Sequence, residues 1–112
     1  MLPAKNRLRT SKDFALTTKT GVRATSLSLV VYLRTSTDLA NPQVGLIVNK
    51  SVGGSVTRHR VSRQLRHLIS SHLASLPKNS QLVIRVLRNQ SEFKSELDEL
   101  VAKVLSKSPV SA

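Results

Sequence analysis

Apolar and polar residues recur along this chain with two different periods, and each change of period marks the border of an element. Residues 11–20 carry helix punctuation: Ser11 can cap the helix, Asp13 sits in the first turn where the macrodipole favours an anion, and Gly21 is placed to stop it. From 26 to 35 the period falls to two, which sets Leu27, Leu29, Val31 and Leu33 on one strand face and Val30, Tyr32 and Arg34 on the other. Asn41-Pro42 breaks the chain, and a second strand at 43–50 alternates Val44, Leu46 and Val48 against Gly45, Ile47 and Asn49. A short extra strand at 22–24 is only weakly signalled.

After a loop at 51–55 the helical period returns. On a helix spanning about 56–73, Val61, Leu65, Leu68, Ile69 and Leu73 share one arc, and Arg60, Arg63, Arg66 and His67 fall on the other. Leu76-Pro77-Lys78-Asn79 ends this helix, and 81–88 is expected to form a third long strand. Ser91 is expected to cap a final helix, 92–105, whose Phe93, Leu97, Leu100, Val101, Val104 and Leu105 form one apolar stripe suited to core packing. The tail, 106–112, is expected to fray. With the short strand counted, the order is αβββαβα: an α/β chain in which one sheet of about four strands is covered mainly on one side by its three helices, part of the other face staying open.

Composition narrows the class. At 112 residues the chain fits a single domain, 1–112, able to bury roughly two-thirds of the surface its unfolded form exposes. Without cysteine it has neither disulfides nor thiolate metal sites, and a reducing cytoplasm suits it. No apolar run is long enough for a membrane span, and the start of the chain lacks the apolar stretch of a signal peptide.

The net charge of +12 changes the picture more. Residues 1–91 hold 15 Lys+Arg against 2 Asp+Glu, while 92–112 hold 3 against 4. Between Leu39 and Ser91 there is no acid at all, so the basic side chains there must repel one another or meet an external polyanion. They concentrate at 52–67, VGGSVTRHRVSRQLRH, where four arginines and two histidines follow a glycine-bearing loop and open an apolar-periodic helix. Arginine's planar fork grips phosphate in two places and stacks on bases, so such a helix suits folded RNA.

Catalysis by the protein itself has no candidate. Asp13 and Asp38 lie apart and the remaining acids fall within one helical stretch, leaving no paired-carboxylate site. His59 and His67 are more than two helical turns apart, and His72 points toward the apolar arc as a half-buried packing residue, so no metal ligand set emerges. Of the three aromatics, Phe93 belongs to the core stripe, while Phe14 and Tyr32 suit either core packing or a stacking platform for single-stranded RNA.

At this point the chain resembles a known family, the protein subunit of bacterial ribonuclease P, over essentially its whole length. The resemblance is carried by Leu2-Pro3, Arg7-Leu8-Arg9 and Asp13-Phe14 near the start, then by Lys50, Val52-Gly53, Val56, Arg58-His59-Arg60 and Arg63-Gln64-Leu65-Arg66. His59 stands where the family usually has Asn; Ser51, Ser62 and Gln64 replace residues that are often basic, and Thr18 falls where many relatives have a second aromatic.

What the resemblance implies is an α+β sandwich with a mixed sheet and a left-handed βαβ crossover, the reverse of the usual hand. It further implies a ribonucleoprotein that cuts the 5′ leader from precursor tRNA, with hydrolysis carried by a catalytic RNA, Mg²⁺ serving that RNA, and one protein per RNA. Carried over by position, Arg58, His59, Arg60, Arg63, Arg66 and His67 would face the catalytic RNA, and Phe14, Tyr32 and Lys50 would meet the leader. The competing expectation is a general RNA-binding module, such as a ribosomal protein, for which the Phe14, Tyr32 and Lys50 constellation would have no use.

Overall fold

The computed structural model describes residues 6–8, 10–35 and 41–107. They form α1 (Ser11–Thr20), β1 (Val22–Thr25), β2 (Leu29–Thr35), β3 (Gln43–Val48), α2 (Ser55–Ser70), β4 (Ser80–Val86) and α3 (Lys94–Lys107), with single 3-10 turns at Lys50–Val52 and Leu73–Ser75. The weakly signalled strand is therefore real. The sheet runs β1-β2-β4-β3, antiparallel except where β3 lies parallel to β4, and α2 makes the crossover between those two strands.

Two-residue alternation gives the sheet two different faces. On one, Val22, Leu33, Leu82 and Val44 form a row, followed by Ala24, Val31, Ile84 and Leu46, then Leu29, Val86 and Val48. α3 covers β1 and β2 there, and α2 covers β3. Val61, Leu65 and Ile69 of α2 and Leu97, Leu100, Val101 and Val104 of α3 complete this main core together with Phe93. The apolar arcs of both helices thus point where their spacing demanded. The opposite face carries only α1, seated on β2 and β4, and a smaller cluster of Leu8, Val30, Tyr32 and Val83 with Phe14 and Ile47 packed against it.

Several borders differ from expectation, each for a local reason. Thr10, not Ser11, caps α1: its hydroxyl accepts the Asp13 N–H at 3.2 Å. Gly21 does end α1, in extended backbone, and space is what requires glycine, since a Cβ there would stand 2.6 Å from the carbonyl oxygens of Leu33 and Thr17. β2 starts at Leu29 and leaves Leu27 65% exposed, because Ser26 and Ser28 are held as a turn by α3. There the Ser26 hydroxyl and the Ser28 N–H both donate to Glu96 Oε2, the latter at 2.7 Å. β3 stops at Val48, where the 3-10 turn takes over, and β4 at Val86.

α2 yields at Ser70 to a turn, and α3 begins at Lys94 after Phe93, whose carbonyl accepts the Leu97 N–H at 2.8 Å. Ser91 is therefore no cap; its carbonyl accepts from Gln64 Nε2 at 3.3 Å. α3 extends through Ser106 and Lys107, into what the sequence suggested was tail, while 108–112 lie outside the described residues.

Candidate nucleic-acid interface

α2 is built with one apolar side and one charged side, and among the described residues no acid forms an ion pair with the arginines of the charged side. Val61, Leu65 and Ile69 are fully buried, whereas His59, Arg60, Arg63, Arg66 and His67 are exposed and Arg58 is half-buried. Among the described residues the ion pairs are His72–Asp98, Lys94–Asp98 and Lys103–Glu99, all involving α3 and none an arginine of α2. Among the described residues, the arginines of α2 are accordingly without an acidic partner.

Two shallow concavities follow this face. One, of about 250 Å³, is lined by Val48, Ser55, Arg58, His59, Ser62 and Arg66. Arg58 Nε lies buried there with no hydrogen-bond partner among the described residues, an arrangement that is costly unless an acceptor arrives from outside. The other, of about 410 Å³, is lined by His59, Arg63, Arg66 and His67. At the start of the helix Gly54 provides no side-chain cap and the first turn holds no acid, so its N–H groups and the positive end of the dipole face outward. This is the chemistry of a phosphate seat.

Arg60 is the partial exception. Its guanidinium donates to Asn89 Oδ1 and, at 3.4 Å, to Gln64 Oε1, which ties α2 to the segment between β4 and α3. Helical spacing put Arg60 on the correct arc but carried no sign of a partner 29 residues away.

The second face of the sheet holds the other three candidates, and it brings them together unevenly. Tyr32 lies on this face as its parity required, yet only 8% of it is exposed. Phe14 is half-buried, and its ring rests on Gly45, where a Cβ would come within 2.4 Å of Phe14 Cζ. Lys50 is exposed at the end of β3. Thr18 turns its hydroxyl back on the helix, donating to the Phe14 carbonyl at 3.0 Å.

Beneath α1, Gln81 is fully buried and accepts at Oε1 from Thr17 Oγ1 (3.2 Å) and Arg34 Nε (3.1 Å) while donating to Gln43 Oε1 (3.0 Å). This network fixes α1 across one end of the face. Two rows beyond it, past Tyr32, Val83 and Gly45, the sheet presents Thr25, Arg85 and Ile47 around a buried Val30. Arg85 of β4 and Arg23 of β1 are exposed on this side, two cations that the sequence reading passed over. The alternation of Arg85 with buried Ile84 and Val86 was the signal that could have found it.

His72 differs from expectation as well. It packs half-buried, as its arc suggested, but its Nε2 also meets Asp98 Oδ1 at 2.6 Å, with Lys94 Nζ on Oδ2 at 3.1 Å. The hydrogen bond from His72, with a lesser contribution from Lys94, holds the Asp98 carboxyl below the usual carboxylate range against the opposing effect of burial. Among the described residues no group of three His, Asp or Glu could hold a metal, and no helix is long and apolar enough to cross a membrane.

Comparison with known proteins agrees with this geometry. The family model for ribonuclease P matches residues 2–108. The ribonuclease P protein component of Acidothermus cellulolyticus is 39% identical over 110 residues, covering 93% of this chain and 92% of that protein. That of Mycobacteroides abscessus is 45% identical over 97 residues, covering 81% and 76%. Among solved structures, the RNase P protein of Staphylococcus aureus superposes with a TM-score of 0.71 at 20% identity, covering 94% of this chain and 96% of that one. The Thermotoga maritima RNase P protein gives 0.62 at 22%, covering 90% and 92%; at such identities the likeness speaks for the fold alone.

Proposed function

This chain belongs to the ribonuclease P protein family, and on that premise we propose that it works in the cytoplasm as the protein component of a ribonucleoprotein whose catalytic RNA removes the 5′ leader of precursor tRNA. The observation that carries this is the outer face of α2. Arg58, His59, Arg60, Arg63, Arg66 and His67 line one continuous side, no acid neutralises them, and Arg58 Nε waits for an acceptor. A folded RNA supplies phosphates to all of them at once.

The second face of the sheet is the place for the leader, which runs between α1 and the exposed row of β4, past Phe14 and Lys50, with Tyr32 forming the floor. Hydrolysis falls to the RNA. Mg²⁺, which phosphodiester hydrolysis of this kind requires, serves that RNA. One protein per catalytic RNA satisfies the single arginine face.

The test is cleavage of a 5′-extended precursor tRNA at low Mg²⁺ with the protein, with the cognate catalytic RNA, and with both. Activity in the combined reaction alone is the expected result. Cleavage by the protein alone would move the chemistry onto this chain, and an active RNA that gains nothing from the protein would favour a general RNA-binding role.

A further inference from the structure

We propose that the leader face grips a single RNA strand by its phosphates, through Arg85 and Arg23, rather than by stacking its bases. This rests on the leader-holding role above and states how that role is carried out in this particular chain.

A stacking platform needs exposed rings, and this face lacks them. The chain has three aromatics. Phe93 is fully buried beneath the opposite side of the sheet, Tyr32 is 8% exposed, and Phe14 spends its ring on Gly45. Thr18, one turn after Phe14, offers a methyl and a hydroxyl already committed to the helix backbone. A base laid on this surface would find aliphatic edges from Ile47 and Val30, and stacking on rings is what gives sequence-tolerant base binding its strength.

Cations are what the face does present. Arg85 is exposed in the middle strand of the open row, across from Val30 on β2 and Ile47 on β3. Arg23 is exposed on β1 beside Tyr32, one row along. With β2 between them, the two lie roughly 10 Å apart across the sheet, a span over which one strand can touch both. Neither side chain has a hydrogen bond or ion pair among the described residues. In a domain where Arg34 and Arg60 are engaged by side-chain acceptors, two free guanidinium groups on one sheet face mark a polyanion track. Lys50 extends it at the rim.

The experiment measures the affinity of the reconstituted holoenzyme for mature tRNA, for a precursor with a natural leader, and for a precursor whose leader lacks its bases. The abasic leader is expected to keep the precursor's advantage to within about threefold, whereas stacking would be lost base by base. Arg85→Gln is expected to reduce that advantage by about fivefold, as for one exposed charge pair. It should also lower the salt slope of precursor binding by about 0.7 per lost contact on a single strand, leaving mature-tRNA binding unchanged. An abasic leader that binds no better than mature tRNA overturns the proposal, and so does an Arg85→Gln, Arg23→Gln double variant with unaltered leader affinity. Failure of the unaltered protein to stimulate its RNA would instead sink the leader-holding role beneath it.

Discussion

Tyr32 illustrates how side and depth part company at a single residue. Strand parity placed it on the face away from Leu29, Val31 and Leu33, and there it stands. Parity says nothing of what lies above, and the ring is covered by a cluster that includes Leu8, 24 residues earlier in the chain, and Phe14 on α1. Tyr32→Ala is therefore expected to lower stability by about 3 kcal/mol, read as a drop in the urea midpoint at unchanged m. Arg60 shows the same gap: its exposure followed from its arc, while its bond to Asn89 depends on a chain reversal that no local pattern encodes.

Elements were legible where their signal is periodic and illegible where a distant partner sets the end. The three helices and the three longer strands fall where the period marks them, borders aside, because burial of one face imposes that period directly. The turn at 26–28, by contrast, exists because Glu96 reaches across from α3, so Leu27 leaves the strand despite fitting its alternation. The turn after α2 is likewise joined to α3 by a contact outside any periodicity, His72 with Asp98. Because Asp98 binds its proton less readily folded than unfolded, this contact stabilises above the unfolded carboxylate value and is lost as pH falls below about 4. With the Asp98 side chain 41% exposed, the effect is well under 1 kcal/mol. Acid titration of wild type against Asp98→Asn should accordingly show a small extra loss in the wild type as the pH falls below about 4, with the two curves converging at the acid end.

At the scale of the molecule, charge is uneven by element: α3 sets Glu96, Asp98 and Glu99 beside Lys94, Lys103 and Lys107, while α2 bears only cations. That unevenness was visible in the bare sequence, since it needs no knowledge of folding; the leader-side cations were not, because Arg23 and Arg85 become neighbours only when β1 and β4 flank β2. Assembly with the catalytic RNA should weaken steeply with salt, and Arg63→Ala, which disturbs no intramolecular hydrogen bond or ion pair among the described residues, should flatten the log–log slope by about 0.9 if one duplex phosphate is lost. Arg60→Ala should do the same and in addition loosen the segment at 89–91.

The sheet's two outer strands have a bearing on how the protein keeps apart from its own copies. The free side of β3 is met by the chain's early residues, with Leu8 N–H donating to the Val44 carbonyl at 2.9 Å, and on β1 the ammonium of Lys107 reaches the Arg23 carbonyl at 3.0 Å. An unsatisfied strand edge is a template for aggregation. Here one is occupied by a passing segment and the other is guarded by a charge, so mutual repulsion and blocked edges together keep copies from pairing strand to strand before RNA is found.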